Sequence, residues 1–200
     1  MKKCVVVLFA LALVFAASYA SAEGLYVKGG IGASLVDDST VTVQGYSGSA
    51  EMEFDTGLFL GGAIGSDLGN NVRVEGEVSY MTADVDRVSG PGGSFDVSGE
   101  VDVLSFLVNC YYDIETGSPV TPFIGVGIGA ANVDVEDEDD TVFAYQASAG
   151  IGYAISDSTT LELGYRYMAT SDPEFHALGE TIEAEVGSHN FYGGVRVAIQ

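Results

Sequence analysis

Basic residues are scarce in this chain, and their scarcity excludes one class of partner. The 200 residues hold 7 Lys and Arg against 29 Asp and Glu, for a formal net charge of −22. A nucleic-acid binder needs a basic surface to neutralise phosphates, so we expect no nucleic-acid partner. A disordered acidic chain is also excluded, because 11 Tyr, 10 Phe and a mean hydropathy of +0.26 are too apolar for one.

Long apolar runs are rare too, and the longest stands at the very start. A basic beginning, an apolar run at 5–17 and small residues at 20–22 are typical of a cleaved secretory signal peptide. The run is shorter than the roughly 20 residues that a transmembrane helix needs. We therefore predict a signal peptide at 1–22 and a mature domain at 23–200, in which Cys110 is the sole cysteine and no internal disulfide can form.

What the mature chain does contain is alternation with a period of two, which is typical of strands. In the segment 72–80, for example, apolar side chains fall on one face and charged or polar ones on the other. The same pattern predicts eight strands, near 25–36, 51–65, 72–84, 96–112, 122–133, 142–155, 159–170 and 184–198. The connections alternate between long and short. This alternation indicates up-and-down strands with both chain ends in the periplasm and four outer loops.

The size of the side chains on each face distinguishes a membrane barrel from a soluble one. A small soluble barrel has an apolar interior, whereas an outer-membrane barrel turns its apolar face to lipid. Between 124 and 131, large apolar residues alternate with glycine and alanine, and only the small residues fit inside a narrow barrel. We therefore predict an all-β, eight-stranded antiparallel transmembrane barrel in the bacterial outer membrane. A soluble lipocalin-like barrel is the alternative.

Several short motifs resemble small outer-membrane β-barrel proteins of the opacity and OmpA-like type. They are Gly24-Leu-Tyr-Val-Lys-Gly-Gly-Ile-Gly32, Asn109-Cys-Tyr-Tyr-Asp113, Thr121-Pro-Phe-Ile-Gly-Val-Gly-Ile-Gly129, Phe143-Ala-Tyr-Gln146 and Leu163-Gly-Tyr-Arg-Tyr167. The resemblance implies roles in envelope integrity, surface or host contact, or antigenicity. It also implies outer-membrane lipid, lipopolysaccharide, periplasmic chaperones and the barrel-assembly machinery as partners. One departure is Gln200, which stands where such proteins usually end on an aromatic residue.

Charged side chains at lumen-facing positions form the first candidate site. An eight-stranded barrel encloses just enough space for side chains, and buried charges must be paired. We predict an internal ion-pair network that plugs the lumen, formed by Lys28, Glu51, Glu53, Arg73, Glu75, Glu77, Glu162, Arg166 and Arg196. A narrow gated path for ions or small solutes along the same residues is the alternative function. Asp102 leaves the register of its strand open, because it falls on the apolar face unless a bulge or a membrane exit intervenes.

An acidic segment forms the second candidate site. Six carboxylates lie within seven residues, at Asp134, Glu136, Asp137, Glu138, Asp139 and Asp140. Oxygen ligands of this kind suit Ca²⁺ or Mg²⁺, which would bridge the segment to lipopolysaccharide phosphates. A solvated, self-repelling outer loop is the simpler interpretation.

Catalysis is the least favoured function, although some small outer-membrane barrels modify lipids. The mature histidines are His176 and His189, and Ser188 is adjacent to His189 on a strand. Neighbouring strand residues point to opposite faces, which is poor geometry for a Ser-His dyad. We expect no enzyme activity and no cofactor, and a monomer whose outer loops contact a surface or host ligand.

Overall fold

The computed structural model describes residues 24–36, 39–42, 49–54, 56–90, 93–135, 138–171, 174–177, 180–183 and 187–199. Side chains are described in 24–36, 56–83, 101–134, 140–171 and 187–199. The predicted signal peptide lies outside the described residues, so it stays a prediction. The described part of the chain contains no helix that is long and apolar enough to cross a membrane.

The described residues form twelve strands. These are β1 (Leu25–Val36), β2 (Ser39–Thr42), β3 (Ser49–Phe54), β4 (Gly57–Asp67), β5 (Val72–Gly90), β6 (Gly93–Asp113), β7 (Val120–Val135), β8 (Glu138–Ala154), β9 (Thr159–Thr170), β10 (Glu174–Ala177), β11 (Glu180–Glu183) and β12 (Gly187–Ala198). Eight of them pair in the order β1, β4, β5, β6, β7, β8, β9, β12 and then β1 again, always antiparallel. The predicted eight-stranded closed barrel is confirmed.

Short turns join the strands at one end of the barrel, which we call the periplasmic end. The turn between β4 and β5 is built from residues that accept a left-handed backbone, with φ of 76° at Gly69, 52° at Asn70 and 68° at Asn71. The Leu68 amide donates to the Val72 carbonyl at 2.8 Å and closes this turn. The opposite end, where the longer connections lie, is called the outer end.

The outer end differs from the predicted loops, because strands continue beyond the apolar zone. The predicted loop around 89–93 is a hairpin in which Gly90 pairs with Gly93, and the acidic segment likewise extends β7 and β8. The predicted strand 51–65 is divided into β3 and β4, both of which pair with β5. Main-chain hydrogen bonds hold such extensions whatever their side chains are, so a pattern based on apolar residues underestimates their length.

The two faces of the wall are as predicted for a membrane barrel. On β7, Ile124, Val126 and Ile128 point outward and are 55%, 64% and 61% exposed, while Ala131 on the other face is fully buried. Because the exposed side chains are apolar, the outer surface suits lipid rather than water. The largest buried side chains include Arg73, Glu75 and Glu162, so charged groups occupy the interior.

Asp102 lies on the outward face in a regular register, opposite Thr82 on β5. The Tyr80 hydroxyl donates to Asp102 Oδ1 at 2.7 Å. The first shift of register between β5 and β6 occurs further out, between Val85 and Arg87. No bulge is therefore present at Asp102, and the hydrogen bond from Tyr80 gives its carboxylate a partner on this face.

Candidate functional site

Alternate residues of β5 and β9 bring charged groups into the lumen. Arg73, Glu75 and Glu77 are successive inward positions on β5, and Glu162 and Arg166 are inward positions on β9. With Lys28 on β1 and Arg196 on β12, seven of the nine predicted lumenal residues lie together. Their side chains form two groups at different heights, which we call the lower cluster and the upper pair.

The lower cluster is centred on Arg73, which is 1% exposed. Its Nε and Nη2 atoms donate to Asp113 at 2.7 and 2.9 Å, in a bidentate contact. Its Nη1 atom donates to Glu75 Oε1 at 2.9 Å, and the Tyr26 hydroxyl donates to the same oxygen at 2.8 Å. Bidentate, charge-assisted hydrogen bonds are among the strongest in proteins. Arg73 on β5 is therefore firmly joined to Asp113, the last residue of β6.

Two further cations complete the lower cluster. Lys28 Nζ lies 2.6 Å from Glu75 Oε2 and 3.9 Å from Glu162 Oε2. Arg196 Nε lies 3.0 Å from Glu162 Oε1, and Arg196 Nη1 lies 3.9 Å from Asp113 Oδ2. Three cations thus face three carboxylates, and the charges of the cluster balance. Such pairing offsets the large cost of removing each charge from water.

The upper pair is Arg166 and Glu77, which are joined by a direct ion pair. Asn109 Nδ2 donates to Glu77 Oε2 at 2.9 Å, and Gln146 Nε2 donates to Asn109 Oδ1 at 2.6 Å. Arg166 Nη2 also donates to Ser79 Oγ at 3.3 Å. This pair is also neutral, so the two groups connect side chains of six strands without leaving a net charge.

Each lumenal cation also lies over an aromatic ring. The Arg166 guanidinium carbon is 4.2 Å from the centre of the Phe59 ring, and Lys28 Nζ is 4.8 Å from that of Tyr111. Arg73 lies 4.9 Å from the Tyr111 ring, and Arg196 lies 5.3 Å from that of Tyr26. These distances are within the range of favourable cation–π contacts, and such contacts strengthen where water is excluded.

The rings in turn lie against glycines of neighbouring strands. A Cβ atom added to Gly125 would overlap the Tyr111 ring, and one added to Gly164 would overlap the Tyr192 ring. Glycine in a strand interior commonly marks a place where another group approaches closely. The small residues predicted for the lumen therefore make room for inward-facing aromatic rings.

Above the upper pair the lumen becomes apolar, which the sequence analysis did not predict. We call this region the apolar layer; it consists of Met81, Val103, Leu107, Ala131, Val133, Val142, Ala144 and Met168. Along β5 the inward side chains change from polar to apolar within one step, since Ser79 is followed at the next inward position by Met81. The lumen is therefore charged towards the periplasmic end, and towards the outer end an apolar cluster covers the side formed by β5, β6, β7 and β8.

Five hydrogen-bond partners in the lumen were not predicted from the sequence: Tyr26, Ser79, Asn109, Asp113 and Gln146. Asp113 lies one residue beyond the predicted end of its strand. Because it is four residues from Asn109, the two side chains lie on the same, inward face of β6. Glu51 and Glu53 are not brought into the network, because β3 places them opposite Ser89 and Arg87 at the outer end of β5. Their side chains lie outside the described residues.

The acidic segment is divided between the ends of β7 and β8, in which Asp134 pairs with Asp139. The side chains of 135–139 lie outside the described residues, so the cation site stays a prediction. Among the side chains that the structure describes, no group of three or more His, Cys, Asp or Glu could hold a metal ion.

Ser188 and His189 point to opposite faces of the barrel wall, as the alternation of strand residues predicts. Ser188 is buried in the lumen and donates to the Met168 carbonyl at 3.4 Å. His189 is on the outward face, where its Nδ1 atom lies 2.8 Å from the Tyr165 hydroxyl. The wall of the barrel thus separates the two side chains, and His176 lies on β10, whose side chains are outside the described residues.

Comparison with known proteins agrees with the geometry. The chain is 26% identical over 189 residues to outer membrane protein PagN of Salmonella typhimurium, covering 79% of each chain. Two solved structures share the fold. Neisserial surface protein A has a TM-score of 0.57 at 22% identity and covers 88% of this chain and 98% of its own. OprG of Pseudomonas aeruginosa has a TM-score of 0.59 at 16% identity, over 88% and 97%.

The family model described as the outer membrane protein beta-barrel domain matches residues 6–196. This match spans nearly the whole chain, and the lipid-facing wall and closed eight-stranded sheet agree with it. The chain therefore belongs to the outer membrane protein beta-barrel domain family and is a bacterial outer-membrane protein.

Proposed function

We propose that this outer-membrane barrel acts at the cell surface through its outer segments, in surface contact, adhesion or envelope integrity, while its lumenal network braces and plugs the barrel. The observation that carries the proposal is the filled lumen. Arg73 and Glu162 are 1% and 2% exposed, which leaves little open space at their level. A barrel without an open passage has its outer segments and its lipid-facing wall available for partners.

The distribution of charge supports a role for the outer end. The segments 36–57, 84–102, 134–140 and 171–187 contain 21 of the 29 acidic residues but one basic residue, Arg87. The other four basic residues of the mature chain are committed to the lumen. The outer end is therefore strongly anionic, which favours cationic partners or divalent cations that bridge to other anions.

Cation bridging to lipopolysaccharide through the acidic segment is part of this proposal. The monomeric state, the chaperones and the assembly machinery are also proposed, on the basis of the resemblance.

Replacing the six acidic residues between positions 134 and 140 with Asn and Gln tests the surface role directly. We expect cells that produce this variant to lose most of the attachment, to polylysine-coated or host-cell surfaces, that the wild-type protein confers.

The matched control neutralises Glu115 and Asp157, two exposed carboxylates at the periplasmic end. Cells with the control variant should attach as the wild type does, at equal amounts of protein in the outer membrane. If production of the wild-type protein changes neither attachment nor resistance to detergents, the proposed surface role is wrong. Liposome swelling would then favour a narrow channel, and release of acyl chains from lipid A would favour an enzyme.

A further inference from the structure

We propose that the apolar layer is a gate, and that its hydration opens a narrow path for water and small cations through the lumen. This goes beyond the proposed surface role, in which the lumenal network only braces and plugs the barrel, because it assigns the barrier to permeation to a different set of side chains. The proposal places the barrier to permeation above the ionic network rather than within it. It rests on three observations: water access from below, an apolar seal, and unpaired polar groups beside that seal.

The lower part of the lumen is accessible to water from the periplasmic end. The side chains of Asp113 and Arg196, at the bottom of the lower cluster, are 14% and 16% exposed. Further up, a cavity of about 20 Å³ is lined by Lys28, Glu77 and Arg166, among other residues. A cavity of this size has room for about one water molecule, and apart from these three side chains it is lined by glycines and aromatic rings. Water thus reaches the bottom of the lower cluster, whereas Arg73 and Glu162 above it are almost fully buried.

The apolar layer lies directly above this region. On β5, Met81 follows the polar positions Glu77 and Ser79, and on β9 Met168 follows Arg166. Val103 and Val133 are each 1% exposed, so these side chains fill the space between the strands. Narrow apolar constrictions stop ions because water leaves them, and an ion cannot enter without its hydration shell.

The wall that faces the outer half of the lumen from β1, β12 and β9 is polar instead. Ser34 pairs in register with Asn190, and Thr170 is the next inward residue after Met168. Ser34 Oγ, Thr170 Oγ1 and Asn190 Oδ1 are buried and have no hydrogen-bond partner within the part of the chain that the structure describes.

Polar atoms that are buried without partners destabilise the dry state, since each has lost its bonds to water. Water entering this level would satisfy all three atoms. The apolar side chains therefore favour a dry, closed lumen, while the facing polar atoms favour a hydrated, open one. Thr170 pairs with Ala144 of the apolar layer, and Asn190 pairs with Arg166 just below it. Opposed tendencies in one stretch of the lumen are what a gate requires, and the anionic outer end would concentrate cations at its mouth.

The test adds hydroxyl groups to the apolar layer with little change in shape. Val103→Thr combined with Val133→Thr replaces two inward methyl groups, and Val108→Thr combined with Val126→Thr makes the same change on the outward face. Each protein is reconstituted in liposomes loaded with potassium, and efflux is measured with a potassium electrode. Heat-modifiability on unboiled gels selects the folded protein. We expect efflux from the inward variant to rise by roughly tenfold or more, because the added hydroxyls hydrate the constriction.

The outward variant should match the wild type, since Val108 and Val126 are exposed on the lipid face. If the inward double variant does not fold, Val142→Thr alone, at the less deeply buried edge of the layer, takes its place. Folded inward variants with wild-type efflux would overturn the proposal. It would also be overturned if Arg166→Met alone raised efflux as much as the inward variant, because the barrier would then lie in the ionic network.

Discussion

Replacing Arg166 with methionine is expected to destabilise the folded barrel by about 3–5 kcal/mol, since it leaves Glu77 buried without its cation. Asn109 would remain as a neutral donor to Glu77, which is insufficient to compensate a full charge. Methionine keeps contact with the Phe59 ring, so the lost charge rather than lost volume dominates the change. The free energy of unfolding is measured by urea titration in lipid bilayers, with tryptic protection or gel mobility as the signal.

The companion variant removes both charges. Arg166→Met with Glu77→Gln should recover most of the stability, because a neutral pair no longer requires a counter-charge. The sum of the two single changes should therefore exceed the effect of the double change by several kcal/mol, as expected for partners in contact. Equal stabilities of the single and double variants would contradict the assignment of Arg166 and Glu77 as a buried ion pair.

Adding one methyl group at Gly164 is expected to produce the second large effect. In Gly164→Ala the new Cβ atom would overlap the Tyr192 ring, so the ring or the strand must move. Overpacking of this kind typically costs about 1–3 kcal/mol. The chain offers a matched control in Gly29→Ala, where a Cβ atom would meet no other atom within 4 Å.

The control should be neutral or stabilising by up to about 1 kcal/mol, because alanine loses less backbone freedom than glycine on folding. The urea concentration at the midpoint of unfolding is measured for Gly164→Ala, for Gly29→Ala and for the wild type. A lower midpoint is expected for Gly164→Ala alone. Combining Gly164→Ala with Tyr192→Leu should relieve the overlap, so the two changes should be less costly together than their sum. Equal effects at Gly164 and Gly29 would mean that ring contact does not explain the lumenal glycine.

The closed barrel was predictable because its wall obeys one simple rule. Strand residues alternate between lipid and lumen, and side chains as different as Val126 and Gly125 reveal which face is which. The same alternation along each strand predicted that Arg73 and Arg166 point into the lumen. Local alternation therefore sufficed for the fold, the localisation and most of the buried charges.

The outer half of the lumen could not be predicted in the same way. At Met81 and Met168 a large apolar side chain faces inward, as Phe59 and Phe123 do lower in the barrel, so the size and polarity of a single residue do not reveal its face. Which inward residues meet depends on the register between strands distant in sequence, which a single strand does not contain. Glu53 illustrates the same limit, because it pairs with Arg87 near the outer end of β5, far along that strand from Arg73, Glu75 and Glu77.

The central claim is that the exposed apolar face of the wall meets lipid, while the opposite face, with its paired charges and its buried rings, encloses a filled lumen. The chain has no tryptophan, so a single introduced tryptophan reports its surroundings without background. Val126→Trp and Ile128→Trp place the indole outward, and Tyr111→Trp and Phe123→Trp place it inward in contact with the lower cluster. Fluorescence is measured in bilayers with and without brominated acyl chains. Strong quenching of the outward pair and weak quenching of the inward pair is the predicted result; equal or reversed quenching would contradict the account.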